Sequence, residues 1–186
     1  MKFSPSVLLI DTAFLNRAIA DLNQLFSQKL QRDLDLIHPS LLLTYLALDA
    51  KFPRGDNNSV QALFLHDEMS AQLPHSSPCN LECQLSDNAF RSVVGEVSIH
   101  AFQPEGMSSL DEFLHESLRL VAAAEEVERI GVVADTLDPA EAQALYAALS
   151  ACPAEKEITL FDMSPSAEAL PAGIRHAILG YPVMKA

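Results

Sequence analysis

Ser6-Val7-Leu8-Leu9-Ile10 is a leucine-rich, partly β-branched run of strand length that stops at Asp11. It is apolar without alternation, the pattern of a strand buried on both faces. Directly behind it, Leu15, Ala18, Ile19, Leu22, Leu25, Phe26 and Leu30 recur at spacings of three and four. All seven therefore fall on one face of a helix. A doubly buried strand that leads into a long amphipathic helix belongs to the α/β class.

The same alternation continues downstream. Pro39 stands where a first helical position is expected, and Leu41 to Ala50 behind it is apolar nearly all round, so a buried helix is predicted. Pro53-Arg54-Gly55-Asp56-Asn57-Asn58 is a turn cluster, and Val60 to His66 is a second strand that ends at Asp67. Residues 69 to 94 show no clear period, and one short helix is expected around Asn88 to Val93. Gly95 to Phe102 alternates enough for a strand, expected at an edge. Ser109 and Glu112 form a capping-box pattern ahead of Leu110, Phe113, Leu114, Leu118 and Val121. Ile130 to Ala134 is a third buried strand. Asp138-Pro139-Ala140-Glu141 opens another helix, whose core positions are Leu145, Tyr146 and Leu149. Ile158 to Phe161 is a strand that stops at Asp162, and after a Ser/Pro/Ala segment Ala177 to Val183 is a last strand, which Pro182 limits to an edge or an end. The expectation is one α/β domain over residues 1–186, three layers deep, around a mostly parallel sheet of about five strands, a typical sheet size.

Composition narrows the function classes. The chain carries 12 Lys and Arg against 25 Asp and Glu, a net charge of −13, and its bases are scattered. Nucleic acid is disfavoured, because its binders present a basic stripe to phosphates. An anionic membrane surface is disfavoured for the same reason. No stretch approaches the roughly 18 apolar residues of a membrane span, and Val7 to Ile10 is too short for the core of a signal peptide. Three cysteines, Cys79, Cys83 and Cys152, give an odd count without secretory context, so a soluble protein of the reducing cytoplasm with free thiols is expected. The apolar helix Leu41 to Ala50 leaves surface to cover, and a homodimer is expected from it.

Four predicted strands stop on or next to an aspartate: Asp11, Asp67, Asp135 and Asp162. Ligands of open parallel sheets bind outside the carboxyl ends of the strands, and carboxylates gathered there suit a hard cation such as Mg²⁺. The plain alternative is that Asp is favoured in turns and at helix starts whatever the function.

The order of strand, Asp11 and long helix, followed much later by a strand with Asp135 and Asp138 opening a helix, resembles the PIN-like and NYN-type nuclease domains. The resemblance is topological and spans most of the chain. It implies Mg²⁺- or Mn²⁺-assisted cleavage of RNA, with Asp11 as the first acid and Asp135 and Asp138 as the late pair, all three as metal ligands. Asn16 corresponds to the polar partner of the first acid, and Glu105-Gly106-Met107-Ser108 to the turn before the middle helix. Ser108 stands there in place of an acid, so Asp111 or Glu112 is the substitute. Asp135 and Asp138 lie three residues apart where the family spaces its acids by two, and the family's Gly is missing. These departures point to a catalytically inactive domain that acts by binding a protein partner or a small ligand. The alternative is a Mg²⁺-dependent RNA phosphodiesterase that uses Asp11, Asp135 and Asp138. The chain also resembles small uncharacterised bacterial proteins of unknown function.

Other chemistries find less support. The six glycines are dispersed and form no phosphate loop, and no Gly-x-Ser-x-Gly elbow occurs. Cys79 and Cys83, with His75 before them, have the spacing of half a zinc site without its second half, so they are read as ordinary thiols. His66, beside Asp67, is the histidine best placed to take part in a site at a strand end.

Overall fold

The computed structural model describes residues 2–104, 106, 109–163 and 170–186. In chain order the elements are β1 (Ser6–Asp11), α1 (Thr12–Leu30), α2 (Pro39–Asp49), β2 (Ser59–Leu65), a π-helical turn (Leu81–Leu85), β3 (Ala89–Ser92), β4 (Gly95–Phe102), α3 (Leu110–Ala123), β5 (Arg129–Val133), α4 (Pro139–Ser150), β6 (Glu157–Asp162), β7 (Ile174–Ile178) and α5 (Gly180–Lys185). They form an α/β fold around one seven-stranded sheet of order β3-β4-β2-β1-β5-β6-β7. Every pairing is parallel except the β3–β4 hairpin.

The run at residues 6–11 is the centre of this sheet. Leu8 pairs with Ala62 of β2 on one side and Gly131 of β5 on the other, and all six β1 residues are buried. Because side chains alternate across a strand, Leu8 and Ile10 enter the core formed with α1, α2 and α5, whereas Val7 and Leu9 enter the core formed with α3 and α4. Both faces are thus covered by helices, which explains a strand without polar alternation.

The sheet has seven strands where about five are expected, and three further expectations need correction. Asn88 to Val93 is not a helix: Ala89–Ser92 is the edge strand β3, turning into β4 through Val93 and Val94. Gly95–Phe102 is therefore an inner strand, between β3 and β2. The last strand ends at Ile178, and Pro182 lies inside α5. It is the third residue of that helix, where an N–H has no intrahelical acceptor to lose.

Gly95 makes the β3–β4 turn possible. Its φ is +99°, and a Cβ there would lie 2.1 Å from the Asn58 carbonyl oxygen. The capping box is present, with Ser109 Oγ accepting from Glu112 N and Glu112 Oε2 from Ser109 N.

Candidate functional site

From β1 the chain steps outward through β2 to β4 and then returns to β1's other side with β5. The crevice between the carboxyl ends of β1 and β5 is the topological switch point, where open α/β sheets bind ligands. Four helices, α1, α3, α4 and α5, start at this edge of the sheet, directly or after a short loop. Helix starts favour acids, since the first N–H groups and the helix dipole both attract negative charge.

Asp11 ends β1 and caps α1, with Oδ1 accepting from Phe14 N at 3.0 Å. Burial pushes its carboxyl up to about 6, and Asp111 adds to the rise; the Phe14 amide, Arg17 and the Ala13 amide oppose it. Asp135, two residues beyond β5, accepts from Arg17 Nη2 at 2.9 Å and from Leu137 N at 2.9 Å. Asp138 caps α4, accepting from Ala140 N at 2.8 Å and Glu141 N at 3.2 Å. Asp111, burial, Asp138 and Asp135 raise the Glu141 carboxyl, in that order of weight, while Arg17 lowers it. Asp135 and Asp138 thus share an electrostatic field with Asp111 and Glu141, and Asp11 shares Arg17 with Asp135. Each of the three predicted ligands already has at least one carboxylate oxygen engaged. Among the described residues, no group of three or more His, Cys, Asp or Glu is placed to hold a metal ion.

The other acids are engaged in bonds of their own. Asp67 follows β2 by two residues and closes a local turn. Its Oδ1 accepts from Ser70 N and Ser70 Oγ, and the Ser70 hydroxyl holds its carboxyl below the usual range. Asp162, buried at the end of β6, binds Thr136 Oγ1 at 2.7 Å and His176 Nε2 at 2.5 Å. Asn16 donates to the Gln72 carbonyl, 2.7 Å away. Glu112 is held in the capping box, and Glu105, Met107 and Ser108 of the expected turn lie outside the described residues. His66 is buried, with Nδ1 3.0 Å from the Asp67 carbonyl and Nε2 3.7 Å from Glu82. Cys79, Cys83 and Cys152 are free thiols.

Sequence reasoning missed Arg17, Glu141, Thr136 and His176. Arg17 and Glu141 read as ordinary polar positions of helices, and only the strand order brings them to one edge. His176 meets Asp162 because β7 lies beside β6, with Leu160 opposite His176.

Away from the crevice, the helices leave part of the sheet open. A groove of about 550 Å³ runs between α2 and β3, and a second of about 210 Å³ lies between β4 and α3, lined by Phe3, Leu63, Leu65, Phe102, Phe113 and Leu120. Leu120 is 65% exposed.

These features define an α/β domain with an acidic, internally bonded switch crevice and apolar grooves at one side of its sheet. The chain belongs to the DUF6621 family, a family of unknown function, whose model matches residues 1–186. The match identifies no nuclease fold. No curated protein and no solved structure matches the chain. Among the described residues, no helix is long and apolar enough to cross a membrane.

Proposed function

We propose that this is a non-catalytic binding domain with a PIN/NYN-like arrangement of acids, which works by engaging a partner protein. One observation carries the reading: Asp11, Asp135 and Asp138 are spent on structure. Two cap helices, and the third is paired with a guanidinium. A two-metal or one-metal phosphodiesterase needs carboxylate oxygens turned toward a common cation, and Arg17 supplies positive charge in the place of one. The net charge of −13 also opposes RNA, whereas the open grooves suit a protein.

The second reading keeps Asp11, Asp135 and Asp138 as Mg²⁺ or Mn²⁺ ligands of an RNA phosphodiesterase. It is favoured by the mutual repulsion of the acids around Glu141 and by the raised carboxyl of Asp11, both of which a divalent cation relieves. Calorimetric titration of Mn²⁺ and incubation with single-stranded RNA in Mg²⁺ or Mn²⁺ separate the two. The binding reading expects no heat, no rise in melting temperature and no cleavage. Metal-dependent cleavage that is lost in Asp11→Asn overturns it.

A further inference from the structure

We infer that residues 81–87 form a pH-sensitive strap, which protonation of His66 and His100 clamps to the sheet and deprotonation loosens. The inference goes beyond the binding reading and stands independently of it.

The strap is the π-helical turn Leu81–Leu85 with Ser86 and Asp87 behind it. Leu81 and Leu85 are buried in the core on the α2 side of the sheet. The backbone then runs along β4: Asp87 N donates to the Ile99 carbonyl at 2.8 Å, and Ser86 Oγ accepts from Ala101 N at 3.2 Å. The charged residues of the strap are Glu82 and Asp87, and each meets a histidine of the sheet. His66, which follows β2 directly, has Nε2 3.7 Å from Glu82 Oε1. His100 of β4 has Nδ1 3.2 Å from Asp87 Oδ1. Neither carboxylate has a lysine or arginine partner among the described residues. The two contacts grip the strap from opposite faces. His66 continues the alternation of Ala62 and Phe64, which enter the α2-side core, whereas His100 is the neighbour of Leu63, which enters the core beneath α3.

The hydrogen bonds fix what a proton changes. The His66 side chain is 1% exposed, and its Nδ1 lies 3.0 Å from the Asp67 carbonyl oxygen. A carbonyl only accepts, so Nδ1 carries the hydrogen of the neutral ring. Nε2 is then an acceptor facing a carboxylate, which is also an acceptor. A proton on Nε2 converts this contact into an ion pair, and Glu82 supplies the counter-charge that a buried imidazolium requires. At His100 the carboxylate accepts from Nδ1 in either state, and protonation adds charge to that bond. Both changes have one sign. Docking of the strap gains as pH falls through the imidazole range, roughly 8 to 5, and weakens as pH rises. The neighbouring charges leave that sign unchanged. Asp67, beside His66, is itself an acid and is held by Ser70. Asp11, at the end of adjacent β1, lies on the opposite face from His66. Ser98 and Phe102 flank His100 along β4, with Arg91 and Glu96 beyond Ser98 as cross-strand neighbours of opposite charge. The α3 residues that line the groove by Phe102 are uncharged.

Amide hydrogen exchange tests the strap, corrected for the intrinsic pH dependence of exchange. It is read at Ser86, Asp87, Ile99 and Ala101, whose N–H groups bond within the strap or between strap and β4. Residues 7–10 of β1 serve as reference, so that a change in global stability cancels from the ratio. Wild-type protein is expected to protect the strap about three- to tenfold better at pH 5.5 than at pH 8, the size of two modest ion pairs. The difference is expected to shrink in molar salt. The double variant Glu82→Gln/Asp87→Asn removes both charges at exposed positions and keeps the side-chain shapes, and Asn tolerates the φ of +61° at residue 87. It is expected to protect the strap equally at the two pH values, and Glu82→Gln or Asp87→Asn alone to lose part of the difference. Equal protection at both pH values in wild type overturns the inference. So does a pH dependence that survives undiminished in the double variant and in both single variants, since the carboxylates are then not its source.

Discussion

Arg17 of α1 reaches Asp135 beyond β5, with Nη2 2.9 Å from Oδ2, and in doing so lowers the carboxyl pKa values of two other acids, Asp11 and Glu141. Arg17→Ala is therefore expected to raise the Asp11 carboxyl further above about 6, read by carboxyl-carbon NMR titration. The stability cost is small, under about 1 kcal/mol, and shrinks with salt, because an exposed ion pair is screened by water. An unchanged Asp11 titration contradicts the coupling.

Asp11 links stability to pH. Its carboxyl keeps a proton to about 6 in the folded chain, against an ordinary value of 3.8. Between those values the folded state binds more protons than the unfolded state, so this group makes stability fall as pH rises through the window. Below it both states are protonated and the penalty vanishes; above it the full penalty, on the order of 3 kcal/mol, is present. Asn caps a helix about as well as Asp. Asp11→Asn is expected to melt higher than wild type at pH 7.5, with the gap closing towards pH 4. A gap that stays constant across that range counts against the assignment.

Asp138 answers a different question. As a plain helix cap its replacement by Ala costs about 1 kcal/mol, by the same amount with and without millimolar Mn²⁺. A larger loss in the presence of metal points to the phosphodiesterase reading instead. Ser109→Ala tests the other cap and is expected to cost a similar amount.

Much of the fold was legible because periodicity reports burial. The run at 6–11 and the stripe from Leu15 to Leu30 follow from how many faces each element buries, and both elements are found. Residues 69–94 were not legible, for physical reasons. The π-helical turn Leu81–Leu85 has neither helical nor strand period, and β3 is four residues long at an edge. Its turn through Val93 and Val94 carries β-branched residues instead of the Asn-Gly type of hairpin signal. The C-terminal strand lies earlier than the apolar run Ala177 to Val183 suggests, because a short helix accommodates Pro182 in its first turn. Of the candidate site, the positions of the acids were legible. Their engagement was not, because Arg17 and Glu141 reach the crevice only through strand order.

Gly95 gives the sharpest stability test. Alanine there combines a φ of +99° with a Cβ 2.1 Å from the Asn58 carbonyl oxygen. The clash is with backbone, which cannot step aside without moving β2's start. Gly95→Ala is expected to destabilise by roughly 2–4 kcal/mol, measured by urea unfolding. A loss below about 1 kcal/mol means the hairpin has another way to turn.

All three cysteines are free, so no covalent link joins distant parts of the chain. The melting temperature is expected to be the same with and without reductant. A drop of several degrees on reduction, the size of a lost disulfide in a domain of this length, contradicts this.

The position of β1 has a consequence for biosynthesis. Within residues 1–186 it is the first strand in chain order and the middle strand of the finished sheet, flanked by β2 and β5. Its second edge stays unpaired until Arg129–Val133, far downstream, has been made. The nascent polypeptide thus carries the sticky segment Val7–Ile10 until β5 emerges, with nothing yet in place to satisfy that edge. Long-range parallel pairing of this kind folds slowly and exposes aggregation-prone surface meanwhile. Chaperone occupancy on stalled nascent chains should therefore persist in chains stopped before β5 and fall once β5 has emerged.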